Sequence, residues 1–502
     1  MKSLLCLTIA FIALAPPLAA GVAAVDTPTT RALLVQQIDA LFDDDPRFKG
    51  AIFGALVESL DTGEVWLERN ADQLFVPASN QKIPVAATAL ATLGPDFRYV
   101  TRVRASGDIE DGVLNGHLIL EGMGDPTFYY RFGSDPRAPF RHLAAQIKDA
   151  GITTVTGYVI GDDNAWDDQH IPAGITHEDM IQWYGAPFGA LNINENYVDL
   201  MIHPPDAQWE LPVKIAPNLP SEYFTIRNEL KTKLAGEHEV EVTRAFDSNE
   251  IVVRGQVVVG REPFERSPSL VNPTLYAATV FMEVLEHEGI EVRGPASDID
   301  DAWKPLLAAP STYLAKHESP PLSEILAVFL KSSQNMYAEV LVHTLGMHRD
   351  GVGNFEGGKT LIQDFLRTQF GIQPEDYVFV DGSGQSRLNL QTPRQVVTMF
   401  KGMRQREDLW PVWWEALTIA GVDGTLARRM KGTPAEGNVR GKTGTLPNTR
   451  QVSGYVTTAD GENLVFSFMI NNHTTTREAT EDVIDGAAVL LAGYSEELGP
   501  EE

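Results

Sequence analysis

A chain of 502 residues, 43% of them hydrophobic, is long enough for about two to four domains and apolar enough to fill their cores, which excludes a disordered chain. With 68 acidic against 40 basic residues the formal charge is -28, which argues against nucleic acid or an anionic membrane surface as a partner. The single cysteine, Cys6, falls in the apolar leader, so no disulfide is expected in the chain beyond it.

Met1-Lys2-Ser3, the apolar run Leu4 to Ala15, Pro16-Pro17 and the small residues Ala19 to Ala24 read as a secretory signal, residues 1–24, cut near Ala20 to Ala24. A retained membrane anchor is the alternative, because Leu4 to Val25 approaches spanning length. No later segment is apolar for long enough to span, so the expected location is the periplasm, with no stable membrane span once the signal is removed.

Two strands, Ile52 to Leu60 and Val65 to Arg69, are expected on either side of the turn Asp61-Thr62-Gly63. The alanine-rich run Val85 to Leu90, stopped at Gly94-Pro95, predicts a helix with Ser79 at its amino end. From about 99 to 311 short alternating strands such as Val113 to Leu120, Glu239 to Thr243 and Ile251 to Val259 predict a mostly β inserted region of two subdomains, with a helix at Pro273 to His287. After Ser319-Pro320-Pro321, helices are expected at Leu322 to Phe329 and Asn335 to Leu345. Strands at Lys442 to Thr445, Val452 to Thr457 and Leu464 to Ile470, with a hairpin turn at Ala459-Asp460-Gly461, lead into a closing helix at Thr480 to Ala492. The expected fold is α+β, an antiparallel sheet built from both chain ends (25–98 and 312–502) with helices packed on it.

Three short signatures lie in order along this frame: Ser79-Asn80-Gln81-Lys82, Ser333-Gln334-Asn335 and Lys442-Thr443-Gly444-Thr445. Each recurs by chance; together they supply the parts of an acyl-transfer site. On a helix, residues three apart share a face, so Lys82 sits beside the Ser79 hydroxyl and can serve as its base once burial and positive charge, from Lys442 and the helix amino end, lower its pKa. Ser333 is placed to relay a proton to the leaving amine, and Asn335 to hold substrate backbone and orient Lys82. Lys442, Thr443 and Thr445 offer charge and hydroxyls to a terminal carboxylate, and Gly444 lets a substrate strand approach. The backbone amides of Ser79 and Thr445 are the expected oxyanion hole.

With these residues in hand, the chain resembles the penicillin-binding serine D-alanyl-D-alanine carboxypeptidases, and among them the class C, low-molecular-mass carboxypeptidase/endopeptidase group. The likeness also includes Gly122-Met123-Gly124-Asp125-Pro126-Thr127, Gly161-Asp162-Asp163, Tyr184-Gly185-Ala186-Pro187, Leu191 to Asn196, and Asp381-Gly382-Ser383-Gly384 followed by Ser386-Arg387. The 254 positions between Ser79 and Ser333 suit the large insertion of this group and are too many for a compact β-lactamase. Gln334 stands where aspartate is common. The resemblance implies a β-lactamase/transpeptidase-like catalytic domain. It also implies release of the terminal D-amino acid from peptidoglycan stem peptides, cleavage of D-alanyl cross-links, and covalent inhibition by β-lactams on Ser79. It further implies that Asp162 or Asp163, with Arg387, binds the side chain of the stem's diamino acid. No cofactor is implied, and the oligomeric state is left open.

A metal enzyme is disfavoured, because the 11 histidines are scattered and no H-E-x-x-H or H-x-x-E-H spacing occurs. Asp381-Gly382-Ser383-Gly384 lacks the spacing of a nucleophile elbow. The competing readings are another serine hydrolase on the same core, such as a β-lactamase or a D-amino-acid amidase, and a binding module without turnover. The first lacks the E-x-x-L-N run of the class A pattern between Asn335 and Lys442, and the second does not need the full set of catalytic side chains found here.

Overall fold

Alternation along the strand Asn463–Asn471 sends Leu464, Phe466, Phe468 and Ile470 to one face of a sheet and Val465 and Met469 to the other, and both sets are buried. Such a strand needs cover on two sides, and the chain supplies it in a computed structural model that describes residues 30–206, 212–301 and 310–496. The sheet runs Thr418–Ile419, Arg440–Leu446, Thr449–Thr457, Asn463–Asn471, Ile52–Ser59, Val65–Arg69, antiparallel throughout. On one face Leu34, Ile38 and Phe42 of the helix Arg31–Asp43 pack with Val483, Ile484 and Ala487 of the closing helix Arg477–Gly493. On the other, the helices Lys82–Leu93, Leu322–Ser332, Asn335–Asp350, Phe355–Phe370 and Pro393–Gln405 share a second apolar cluster. This is a β-lactamase/transpeptidase-like α+β domain, with the sheet built from both chain ends as expected.

The inserted region is rich in strand. A seven-stranded sheet is centred on the hairpin Val100–Glu110 and Val113–Glu121, and two three-stranded sheets lie beyond it. Their inward residues, among them Val103, Leu118, Ile202 and Ile251, join the helix Pro273–His287 in one continuous cluster. The strand Thr312–Glu318 pairs with Val100–Glu110, which carries the inserted region's sheet past the expected boundary at 311.

Most expected elements are present with slightly different ends: the helix expected at Leu322 to Phe329 runs to Ser332, and the one beginning at Asn335 runs to Asp350, where Gly351 (φ 80) stops it. The helices Arg31–Asp43, Ala138–Asp149, Phe355–Phe370 and Pro393–Gln405 add to the expected set. The signal segment lies outside the described residues; among those described, no helix is long and apolar enough to cross a membrane.

Candidate active site

The first signature folds as a 3-10 turn, Ala78–Gln81, running straight into the helix Lys82–Leu93. A 3-10 turn eclipses residues three apart, so Lys82 stacks on Ser79. The two residues between them hold the turn in place. Asn80 Nδ2 donates to Ser453 Oγ of the sheet at 2.8 Å, and Gln81 Nε2 donates to the Asp381 carbonyl at 3.1 Å. Ala78 takes a positive φ of 43°, a conformation costly for a residue with a Cβ. Gly384 backs it so closely that a Cβ there would stand 1.8 Å from the Ala78 oxygen.

Lys82 is fully buried and its Nζ donates to Ser79 Oγ (2.9 Å), Asn335 Oδ1 (2.7 Å) and the Ser383 carbonyl (2.6 Å). Burial brings its pKa down to about 7, against the nearby Asp381 and Glu339 carboxyls, which raise it. Of the two expected causes, burial is the main one. Lys442 is also fully buried, and burial and the charge of Lys82 hold it well below the usual lysine range.

Ser333 ends the helix Leu322–Ser332 in the left-handed region (φ 59) and accepts a 2.7 Å hydrogen bond from Lys442 Nζ. Lys442 Nζ also reaches the Thr443 carbonyl at 3.0 Å. Asn335 opens the next helix, and its Nδ2 donates to the Tyr184 carbonyl (2.8 Å) and Gln385 Oε1 (3.2 Å). Ser79, Lys82 and Asn335 thus form one bonded cluster and Ser333 with Lys442 a second, near enough for the two lysines to sense each other.

The strand Arg440–Leu446 lies against the turn Ala78–Gln81. A Cβ on Gly444 would meet the Pro77 carbonyl at 2.9 Å and Ala78 Cβ at 3.3 Å, so only glycine allows this approach. Thr443 Oγ1 bonds Thr425 Oγ1 at 2.8 Å, whereas Thr445 is exposed. Arg387 is exposed and donates to the Pro447 carbonyl, at the end of the same strand.

Asp162 and Asp163 have other partners. Asp162 is buried in an ion pair with Arg104 (3.3 Å) and accepts from Asn164, while Asp163 accepts from the Thr274 hydroxyl and lies among Asp298 and Asp300, the three offering carboxylate oxygens within 4.8 Å of one another. Burial pushes Asp163 up to about 6. Both carboxylates are thereby committed inside the inserted region. Asp179, by contrast, is tied to the cleft: its Oδ1 accepts from the hydroxyl of Tyr184 (3.2 Å), the residue whose carbonyl holds Asn335. A Cβ on Gly174 of the same loop would meet Ser386 Oγ at 2.3 Å, so the loop also borders Arg387's turn.

The sequence places Ser383 and Tyr184 in motifs of the resemblance but does not reveal their contacts with Lys82 and Asn335, which run through backbone carbonyls that carry no residue signature, and it does not reach Asp179. Nor does it reach Glu339, whose carboxylate accepts from Gly382 N (3.1 Å) and Ser383 N (2.9 Å) beneath Lys82 and is pushed up to about 8 by burial and Asp381.

The model of the D-Ala-D-Ala carboxypeptidase 3 (S13) family matches residues 34–494. The D-alanyl-D-alanine carboxypeptidase of Actinomadura sp. (strain R39) is 33% identical over 485 residues, 93% of this chain and 86% of that protein. The D-alanyl-D-alanine carboxypeptidase DacB of Haemophilus influenzae is 27% identical over 436 residues, 85% of this chain and 87% of that protein. The crystal structure of penicillin binding protein 4 from Haemophilus influenzae superposes with a TM-score of 0.78 at 26% identity, covering 91% of this chain and 99% of that one, and a second structure of it, complexed with a β-lactam, gives 0.72. With a match over nearly the whole described chain, the protein belongs to the D-Ala-D-Ala carboxypeptidase 3 (S13) family, the penicillin-binding serine D-alanyl-D-alanine carboxypeptidases of the class C low-molecular-mass group.

Proposed function

We propose that this serine-type D-Ala-D-Ala carboxypeptidase works through an acyl-enzyme on Ser79, trims the terminal D-alanine from peptidoglycan stem peptides, cuts D-alanyl cross-links between them, and is acylated by penicillins. The observation that carries the reading is the buried Lys82 amine, 2.9 Å from Ser79 Oγ with its pKa brought to about 7, because only a neutral amine can take the serine proton.

In the acylation step Lys82 Nζ accepts the Ser79 proton as Oγ bonds to the carbonyl carbon of the penultimate D-alanine, and the carbonyl electron pair moves onto oxygen. The backbone amides of Ser79 and Thr445 would hold that oxyanion. Ladder geometry supports Thr445 in this role. The two-residue turn Pro447-Asn448 makes Leu446 and Thr449 the closing hydrogen-bonded pair, so by alternation the Thr445 and Thr443 amides point away from the neighbouring strand. On that open side the strand pairs with Thr418–Ile419 only at Arg440 and Gly441, among the described residues, which leaves Lys442 to Leu446 as an edge for an extended substrate. Collapse of the tetrahedral state breaks the C–N bond, and the leaving amine takes its proton from Lys82 through the Ser333 hydroxyl. Water then attacks the ester, giving up a proton to Lys82 as Ser79 Oγ leaves and is reprotonated.

Lys442, Thr443 and Thr445 would receive the leaving residue's carboxylate. Arg387 and Asp179, of opposite charge and on facing loops of the cleft, suit the zwitterionic end of a diamino acid side chain. In this reading Asp179 takes the role first expected of Asp162 or Asp163, supported by its bond to Tyr184. A cross-link differs from a terminal D-alanine only in the leaving amine, so the same steps cut it. The substrate lies in the wall, which fits an exported, periplasmic protein.

The test is to incubate the protein with penicillin and weigh it intact, with Ser79→Ala alongside, and then to offer stem pentapeptide and cross-linked dimer. One adduct per wild-type molecule, none on Ser79→Ala, and D-alanine released from the pentapeptide are expected. An adduct on Ser79→Ala at the wild-type level removes Ser79 from the mechanism, and an uncut dimer removes the cross-link activity.

A further inference from the structure

The middle residue of the second signature does not face the cleft. The Gln334 side chain is buried, with Nε2 donating to Glu195 Oε2 and Oε1 accepting the backbone N–H of Asn335 at 2.8 Å. Glu195 belongs to the inserted region and its side chain is wholly buried. Besides Gln334 it accepts from Arg131 Nε (3.0 Å), the Tyr197 hydroxyl (3.0 Å) and the Tyr337 hydroxyl (3.0 Å), the last on the helix that begins at Asn335. Four polar groups converge on its two oxygens; burial pushes its pKa up, and the Arg131 guanidinium opposes that rise.

Two stretches of unfavourable backbone meet at this carboxylate. Asn194, Glu195 and Asn196 have successive positive φ angles of 52, 51 and 59, and Ser333, next to Gln334, has one of 59. Non-glycine residues persist there only when their surroundings over-determine them. Asn196 adds a second grip on the same helix, its Nδ2 lying 3.4 Å from Met336 Sδ.

We propose that Glu195 is a positioning residue. Acting through Gln334, it holds the turn Ser333-Gln334-Asn335 so that the Ser333 hydroxyl meets Lys442 and the Asn335 amide meets Lys82. The inserted region thereby carries part of the catalytic geometry, and Gln334 is the partner that a buried acid requires: a second carboxylate there would face the first with no added cation.

The readout rests on the acyl-enzyme reading of Ser79. Glu195→Gln, Gln334→Glu and the exchanged double variant would be acylated with a fluorescent penicillin well below their unfolding temperatures, with rates expressed per folded molecule from circular dichroism. Each single variant is expected to be slowed about tenfold or more, and the double variant, which restores one amide against one carboxylate, to return to within about threefold of wild type. A purely structural role would lower the unfolding temperature and leave the rate per folded molecule unchanged; that result overturns the proposal, as does a double variant no faster than the slower single one. Should the single variants not fold, Tyr337→Phe removes one donor without changing charge and is expected to slow acylation about threefold; an unchanged rate there overturns the proposal. Wild-type protein that forms no adduct would overturn the acyl-enzyme reading and this proposal with it.

Discussion

If Lys82 is the base, acylation must follow its deprotonation. With one group titrating at about 7, the neutral amine makes up about 1% at pH 5, about 10% at pH 6, about half at pH 7 and about 90% at pH 8. The second-order rate of penicillin acylation should therefore climb about tenfold per pH unit from 5 to 6 and level off above about 8, roughly 90-fold in all. An exposed lysine, titrating near its ordinary 10.5, would instead leave the rate climbing beyond pH 9. Stopped-flow acylation at constant ionic strength, with early intact-mass samples as a check, measures the profile. A flat profile between pH 5 and 9, or an inflection near 10, would refute the assignment, because either would mean that no neutral buried amine takes the serine proton. The same depression has a stability consequence. Unfolded Lys82 keeps its proton up to about 10.5 and folded Lys82 only to about 7, so more protons are bound in the unfolded state between these values and stability rises with pH across that window. Lys82→Met should make this rise shallower in urea titrations, leaving the share that comes from the buried Lys442.

Gly444→Ala would drive a methyl to within 2.9 Å of the Pro77 carbonyl; acylation is expected to fall about tenfold or more with a smaller change in unfolding temperature, and wild-type kinetics would contradict the close packing of strand on turn. Asn80→Ala removes a buried hydrogen bond to Ser453 and should cost about 1–2 kcal/mol in chemical denaturation, with no loss counting against Asn80 as an anchor. Asp162→Asn should lower stability by about 1–3 kcal/mol by weakening the pair with Arg104 while leaving KM for a stem peptide within about twofold. Asp179→Asn should raise KM several-fold for stems with a free diamino acid side chain; the reverse pattern would return the role to Asp162.

Local chemistry made much of this protein legible in its sequence. The spacing of Ser79 and Lys82, the turn before Asn335, and the alternating strands near both chain ends follow from the repeat of helix and sheet, which depends only on neighbours along the chain. The sequence marked Gln334 only as standing where aspartate is common, not as the partner of Glu195, 139 positions away. Asp162 and Asp163 were left as alternatives for a similar reason: carboxylates look alike in a sequence, and only folding pairs these two with Arg104 and Thr274 and ties Asp179 to Tyr184. The order of motifs and their residue types were set by the chain itself. Tertiary structure decided that Lys82 meets Asn335 across 253 positions, that Lys442 meets Ser333 across 109, and that both amines are stripped of water. A pKa depends on every atom that displaces solvent around the group, and those atoms come from distant segments that only the folded chain brings together.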